Sequence, residues 1–148
     1  ATKGLVQTSL NNGIMRLDEK SFTLEASVRS SIASQKYALS ERLKYLTETI
    51  GGQYSVWGDY PGWEFSEDSR ITKIVGEKYE ELFGKKPLIA GIHAGLECGF
   101  ISSKMPGIDI VSLGPDIIDI HTPGEKISIS SVERVWRLLI AVLEELCK

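Results

Sequence analysis

One continuous apolar run, Pro87 to Ile92, with a second candidate buried strand at Ile108 to Leu113, constrains this chain's fold more than any other feature. A strand with one solvated face alternates apolar and polar residues, whereas a strand covered on both faces is apolar throughout. Helical patterns surround both segments. Ile71, Ile74, Val75, Leu82 and Phe83 lie on one helical face before the first run, opened near Asp68 or Ser69 and stopped at Gly84. A glycine-interrupted helix from Leu96 to Lys104 separates the two segments, and Met105-Pro106-Gly107 ends it. After the second segment, Ser130 and Glu133 form a capping-box pattern. Val132, Val135, Trp136, Leu139, Leu143 and Leu146 then make the apolar face of a last helix. Residues 63–148 therefore read α-β-α-β-α, the alternation of a parallel or mixed sheet flanked by helices, and the fold class expected is α/β.

The first part of the chain has a different texture. Phe22, Leu24, Ala26 and Val28 alternate with Thr23, Glu25, Ser27 and Arg29, which predicts a strand with one buried and one polar face. Leu5 to Leu17 is its partner strand. Asn12-Gly13 and Asp18-Glu19-Lys20 both carry turn chemistry. We place the turn at Asp18 to Lys20, because that leaves a full-length partner for the Phe22 strand. Leu39, Leu43, Leu46 and Ile50 recur at helical spacing until Gly51-Gly52, and Tyr54, Val56 and the residues around Trp57 make a short strand. Residues 1–62 thus read β-β-α-β, an α+β portion. Turn-like Gly58 to Trp63 marks the boundary with 63–148.

A formal net charge of -3 without any lysine or arginine run argues against a nucleic-acid surface. No apolar run approaches the roughly 20 residues that span a bilayer. Ala1-Thr2-Lys3-Gly4 has no signal-peptide core behind it, so the expected location is cytoplasmic. Cys98 and Cys147 make no disulfide framework and read as reduced thiols. The chain opens on alanine rather than methionine, which we read as a piece of a longer polypeptide.

Both histidines occupy places where chemistry can occur. His121 lies in the loop between the last strand and the last helix, and open α/β sheets form sites beyond the carboxyl ends of their strands. An imidazole there can serve a metal or bond to backbone, and position alone does not choose. His93-Ala94-Gly95-Leu96-Glu97-Cys98-Gly99 follows the first apolar run. Glycine lets a ligand approach the backbone, and the following helix N-terminus favours an anion such as a carboxylate. The same string also suits a plain strand-to-helix turn. Arg29 closes the polar face of the Phe22 strand, where it can grip a carboxylate bidentately or remain a solvated charge. Cys98 lacks oxyanion partners for a thiol nucleophile. Glu80-Glu81 and Glu144-Glu145 point about 100° apart on their helices and read as solvated faces.

Several strings together carry a family resemblance. Thr8-Ser9-Leu10-Asn11, Ser27-Val28-Arg29-Ser30-Ser31, Gly58-Asp59-Tyr60-Pro61-Gly62-Trp63 and the His93 string occur in order. His121-Thr122-Pro123-Gly124-Glu125 follows, running on to Ser130-Ser131-Val132-Glu133-Arg134-Val135-Trp136. The chain resembles the aminoacyl-histidine dipeptidases, the Xaa-His or carnosine-cleaving zinc metallopeptidases. That resemblance implies a hydrolase whose three-layer α/β catalytic domain is interrupted by a lid. Residues 1–62 would be the end of the lid, and residues 63–148 the return to the catalytic domain. It implies that His121 binds one of two zinc ions, with cobalt or manganese as substitutes. It also implies that Arg29 and Gly95 hold the free carboxylate of a small dipeptide substrate. The family's His-x-Asp pair, Glu-Glu pair and further acidic ligand precede the lid and have no counterpart here. The missing partner is then the N-terminal part of the same enzyme, and this chain alone is expected to be inactive. The competing reading is a non-catalytic binding or assembly module, since strand-strand-helix-strand units pair edge to edge into homo-oligomers.

Overall fold

A computed structural model of the protein describes residues 4–93 and 95–148. Ala1-Thr2-Lys3, at the N-terminus read for a signal peptide, and Ala94, within the His93 string, lie outside the described residues. The elements run β1 (Thr8–Leu17), β2 (Phe22–Ser30), α1 (Ala33–Thr49), α2 (Arg70–Phe83), α3 (Glu97–Lys104), β3 (Ile117–Ile118), β4 (Lys126–Ile127) and α4 (Ile129–Leu146). They fall into two compact units, Ala1–Ser66 with Gly91–Gly107, and Glu67–Ala90 with Ile108–Lys148.

In the first unit β1 and β2 pair antiparallel from Thr8↔Ser30 to Leu17↔Phe22. The turn forms at Asp18, whose amide donates to the Ser21 carbonyl at 3.0 Å and whose carboxylate accepts from the Lys20 amide at 2.8 Å. Asn12-Gly13, the other turn signal, is instead a bulge, where the register shifts between Asn12 and Ile14. The extra residue re-aims the strand, so Met15 and Leu17 rejoin the face of Leu10 opposite Leu24, Phe22 and Val28. The alternation is therefore real, but the expected burial of that face is not. Phe22, Leu24 and Ala26 are exposed and only Val28 is half-buried, because α1 packs on β2 without covering the far end of the ribbon. Gly51, in the left-handed region at φ 80°, ends α1 as its sequence predicts. Tyr54 and Val56 were expected in a strand. They are irregular, having no ladder partner among the described residues.

In the second unit α2 packs on α4. Ser69 caps α2 by accepting the Thr72 amide at 3.0 Å, and Gly84 closes it in the left-handed region. Leu138 and Val142 of α4 are buried. The predicted box at Ser130 does not form. The N-cap is Ser128, and Ser130 lies inside the helix. Tertiary contacts select that start: the Ser128 amide donates to the Asp116 carbonyl at 3.0 Å, and the Asp116 amide donates to Ser131 Oγ at 2.9 Å. Pro87 to Ile92 and Ile108 to Leu113, expected as buried strands, run without a ladder, and Leu88 is 92% exposed. A strand needs a neighbour for its backbone groups, and among the described residues neither run has one.

The chain exposes 11743 Å². Two separate globules of half its mass would together expose about 9,100 Å². The chain thus exposes more surface than two self-sufficient globules of the same total mass, and many large apolar side chains are among what it exposes.

Candidate functional site

The hairpin register sets the first group of functional side chains. Ser9 is paired directly with Arg29, so both side chains leave the same face. Ser9 Oγ lies 2.6 Å from His93 Nε2, which fastens the segment before α3 to β1. Two residues further on is Gly95. Arg29, His93 and Gly95 line one cavity of about 80 Å³, together with Lys36 and Tyr60. Arg29 makes no ion pair among the described residues, so its guanidinium retains its donors for a ligand.

Close approaches build the wall of this cavity. A Cβ on Gly62 would lie 2.6 Å from the Ser31 carbonyl oxygen, so only glycine lets the loop settle against the end of β2. A Cβ on Gly99 would lie 2.5 Å from the Pro61 carbonyl oxygen, which brings α3 against the same loop. Tyr60 stands beside Gly95, with its ring 3.3 Å from where a Cβ would sit, and it meets Phe100 edge-on at 4.4 Å. Loss of water around the Tyr60 phenol, with the Glu97 carboxylate and Cys98 nearby, pushes its pKa up. Lys36 fixes the loop from below, donating to Asp59 Oδ1 at 2.5 Å and to the Tyr60 carbonyl at 2.7 Å.

Sequence reasoning passed over Lys36 and Ser9. Lys36 did leave a signal, since it shares the helical face of Leu39 and Leu43. A lysine in an otherwise apolar stripe calls for a buried partner. Ser9 had none, because its role depends on a residue far along the chain.

His121 sits in the second unit, in the loop joining β3 to β4. That hairpin was not predicted, because two-residue strands leave no period to detect. His121 and Asp119 adopt φ of 66° and 54°, uncommon for residues other than glycine. The Glu125 carboxylate accepts from the His121 amide at 2.9 Å, and the Asp119 carbonyl accepts from the Thr122 amide and hydroxyl. The His121 side chain is exposed. Among the described residues no three His, Cys, Asp or Glu side chains cluster in a way that could hold an ion. Cys98 and Cys147 are free thiols. Glu81 and Glu145, read as solvated, meet at Lys78 at 2.9 Å and 3.0 Å. No described helix is long and apolar enough to cross a membrane.

The model of peptidase family M20/M25/M40 matches residues 8–145. The chain is 39% identical over 144 residues to the cytosol non-specific dipeptidase of Escherichia coli (strain K12), covering 97% of this chain and 30% of that protein. It is similar to the crystal structure of aminoacylhistidine dipeptidase from Vibrio alginolyticus, with a TM-score of 0.83 and 40% identity over 97% of this chain and 29% of that one. Aminopeptidase PepT from Bacillus cereus ATCC 10987 shares the fold, with a TM-score of 0.74 at 23% identity over 96% of this chain and 40% of that one. The chain thus spans under a third of the curated relative it matches. The α/β class expected from the alternation is that of these peptidases.

Proposed function

This chain belongs to peptidase family M20/M25/M40, and from that premise we propose that it is the C-terminal portion of a metal-dependent dipeptidase acting on Xaa-His dipeptides. The observation that carries the reading is the convergence of Arg29 and Gly95, distant in sequence, on one cavity. Arg29 offers a planar fork that matches a carboxylate, and Gly95 lets the substrate backbone come close. Together they would take the free carboxylate of the dipeptide and fix the register of the scissile bond.

His121 would hold one of two zinc ions, or cobalt or manganese in their place, with the remaining ligands contributed by the N-terminal part of the enzyme. Zinc bound there would polarise the scissile carbonyl and lower the pKa of the attacking water. A single exposed imidazole cannot hold two ions, and among the described residues no metal-binding cluster forms in which a carboxylate could serve as general base, so the chain by itself is inactive in this account. The open apolar surface of both units is what contact with the N-terminal part, or with a second copy, would cover. Residues 1–62 would be the end of the lid, and residues 63–148 the return to the catalytic domain. A cytoplasmic location accords with the name of the Escherichia coli relative.

In the complete enzyme Arg29→Lys should raise KM about tenfold while kcat changes little, because lysine keeps the charge and loses the bidentate geometry. Steady-state kinetics on an Xaa-His dipeptide measure this, and an unchanged KM would remove Arg29 from the substrate.

A further inference from the structure

The geometry points to Lys36 as a positioning residue that sets the carboxylate-binding cavity through the Asp59–Gly62 loop, an inference that rests on the assignment of Arg29 and Gly95 to substrate. Lys36 is only 8% exposed, although lysine is among the residues least often buried. Both of its recorded acceptors lie on one loop: the Asp59 carboxylate at 2.5 Å and the Tyr60 carbonyl at 2.7 Å. A buried ammonium is retained only when its partners hold it in a fixed place, and those partners are fixed in return.

The loop so held touches both halves of the cavity. On one side Gly62 packs against the Ser30 and Ser31 carbonyl oxygens, where a Cβ would come within 2.9 and 2.6 Å, at the end of the strand bearing Arg29. On the other side the Tyr60 ring abuts Gly95, and the Pro61 carbonyl abuts Gly99. A shift of this loop therefore moves the arginine strand and the glycine segment relative to one another. Lys36 also lines the cavity, but its ammonium is committed to Asp59 and Tyr60, so it acts through the loop and not on substrate. Loss of the ammonium should loosen the spacing between Arg29 and Gly95 and weaken the grip on a carboxylate. The chemistry at the metal is left as it was.

The test uses the complete enzyme with an Xaa-His dipeptide as substrate and its C-terminal carboxamide as competitor. Lys36→Met, close in volume and uncharged, should raise KM about tenfold with kcat within about twofold, since uniform binding is what is lost. The inhibition constant of the carboxamide, which presents no carboxylate, should stay within about twofold, and Lys36→Arg should recover most of the KM. A Lys36→Met enzyme with the parent KM overturns the proposal, as does an equal rise in KM and in the carboxamide constant, which marks general loosening. Should Lys36→Met fail to fold, Asp59→Asn decides instead: it removes the exposed anion, keeps the Tyr60 contact, and must raise KM in the same sense. An Asp59→Asn enzyme with unchanged KM then overturns the proposal. If Arg29→Lys leaves KM unchanged, the carboxylate reading falls and this proposal falls with it. If Arg29→Lys raises KM and Lys36→Met does not, this proposal falls alone.

Discussion

The β1–β2 hairpin and the apolar run Pro87 to Ile92 have comparably β-prone sequences and opposite outcomes. The hairpin pairs from Thr8↔Ser30 to Leu17↔Phe22, with one bulge at Gly13, because its partner strands are joined by a short Asp18 turn. The apolar run pairs with nothing among the described residues, and Ile108 to Leu113 does the same. Propensity belongs to a segment, whereas a ladder belongs to two. Where the second strand lies within reach of the chain, the alternation becomes a sheet. Where it does not, the run stays irregular with its apolar side chains exposed, as Leu88, Ile89 and Ile92 are. In the proposed enzyme the absent neighbours belong to the N-terminal part.

The largest expected effect tests that contrast directly. Amide hydrogen exchange in the isolated chain should protect the hairpin amides and leave 88–92 and 109–113 almost unprotected. In the complete enzyme those two runs should slow by at least about a thousandfold. Fast exchange of both runs in the complete enzyme would break the comparison, because no ladder would then form on them.

A smaller effect separates built contacts from open ones. Gly99→Ala drives a Cβ to 2.5 Å from the Pro61 carbonyl, whereas nothing lies within 4 Å of a Cβ on Gly114. In thermal or denaturant unfolding of the complete enzyme, Gly99→Ala should cost about 1–3 kcal/mol by overpacking. Gly114→Ala should stay within about 0.5 kcal/mol, unless the N-terminal part packs there, in which case a larger loss would locate that contact.

The smallest effect is electrostatic. The Asp109 carboxylate accepts the Ile71 amide at 2.8 Å, which with Ser69 holds its pKa below the usual carboxylate value. A depressed pKa contributes stability that is present above the unfolded value, near pH 4, and is lost as pH falls through the folded value. Asp109→Asn should therefore lower stability at neutral pH, leave it nearly unchanged below the folded value, and so flatten the acid limb of the stability curve. An unaltered acid limb would show that this tether between the Ile108 to Leu113 segment and α2 carries no stability.

Local signals were legible where local chemistry decides. The Asp18 turn, the Ser69 cap and the Gly51 and Gly84 stops were all readable, because each is set within a few residues. The start of α4 was not, because Ser128, Ser130 and Ser131 are all competent caps and Asp116 chooses among them from outside the helix. The candidate site was legible only in parts. Arg29, Gly95 and His121 could be named from residue type and position. The fastenings Ser9–His93 and Lys36–Asp59 join segments whose proximity no periodicity encodes.

In the proposed enzyme this chain would supply substrate-binding groups and one metal ligand, too few to assemble a hydrolytic centre alone. Carnosine hydrolysis by the purified 148-residue chain, free of host peptidase and supplied with zinc, cobalt or manganese, tests this claim most directly. The account predicts no turnover above the metal-only control, since groups that act as a unit leave little chemistry when most are removed. Turnover that scales with the chain's concentration and vanishes with chelator would contradict it, and would mean that this chain's own residues complete the centre.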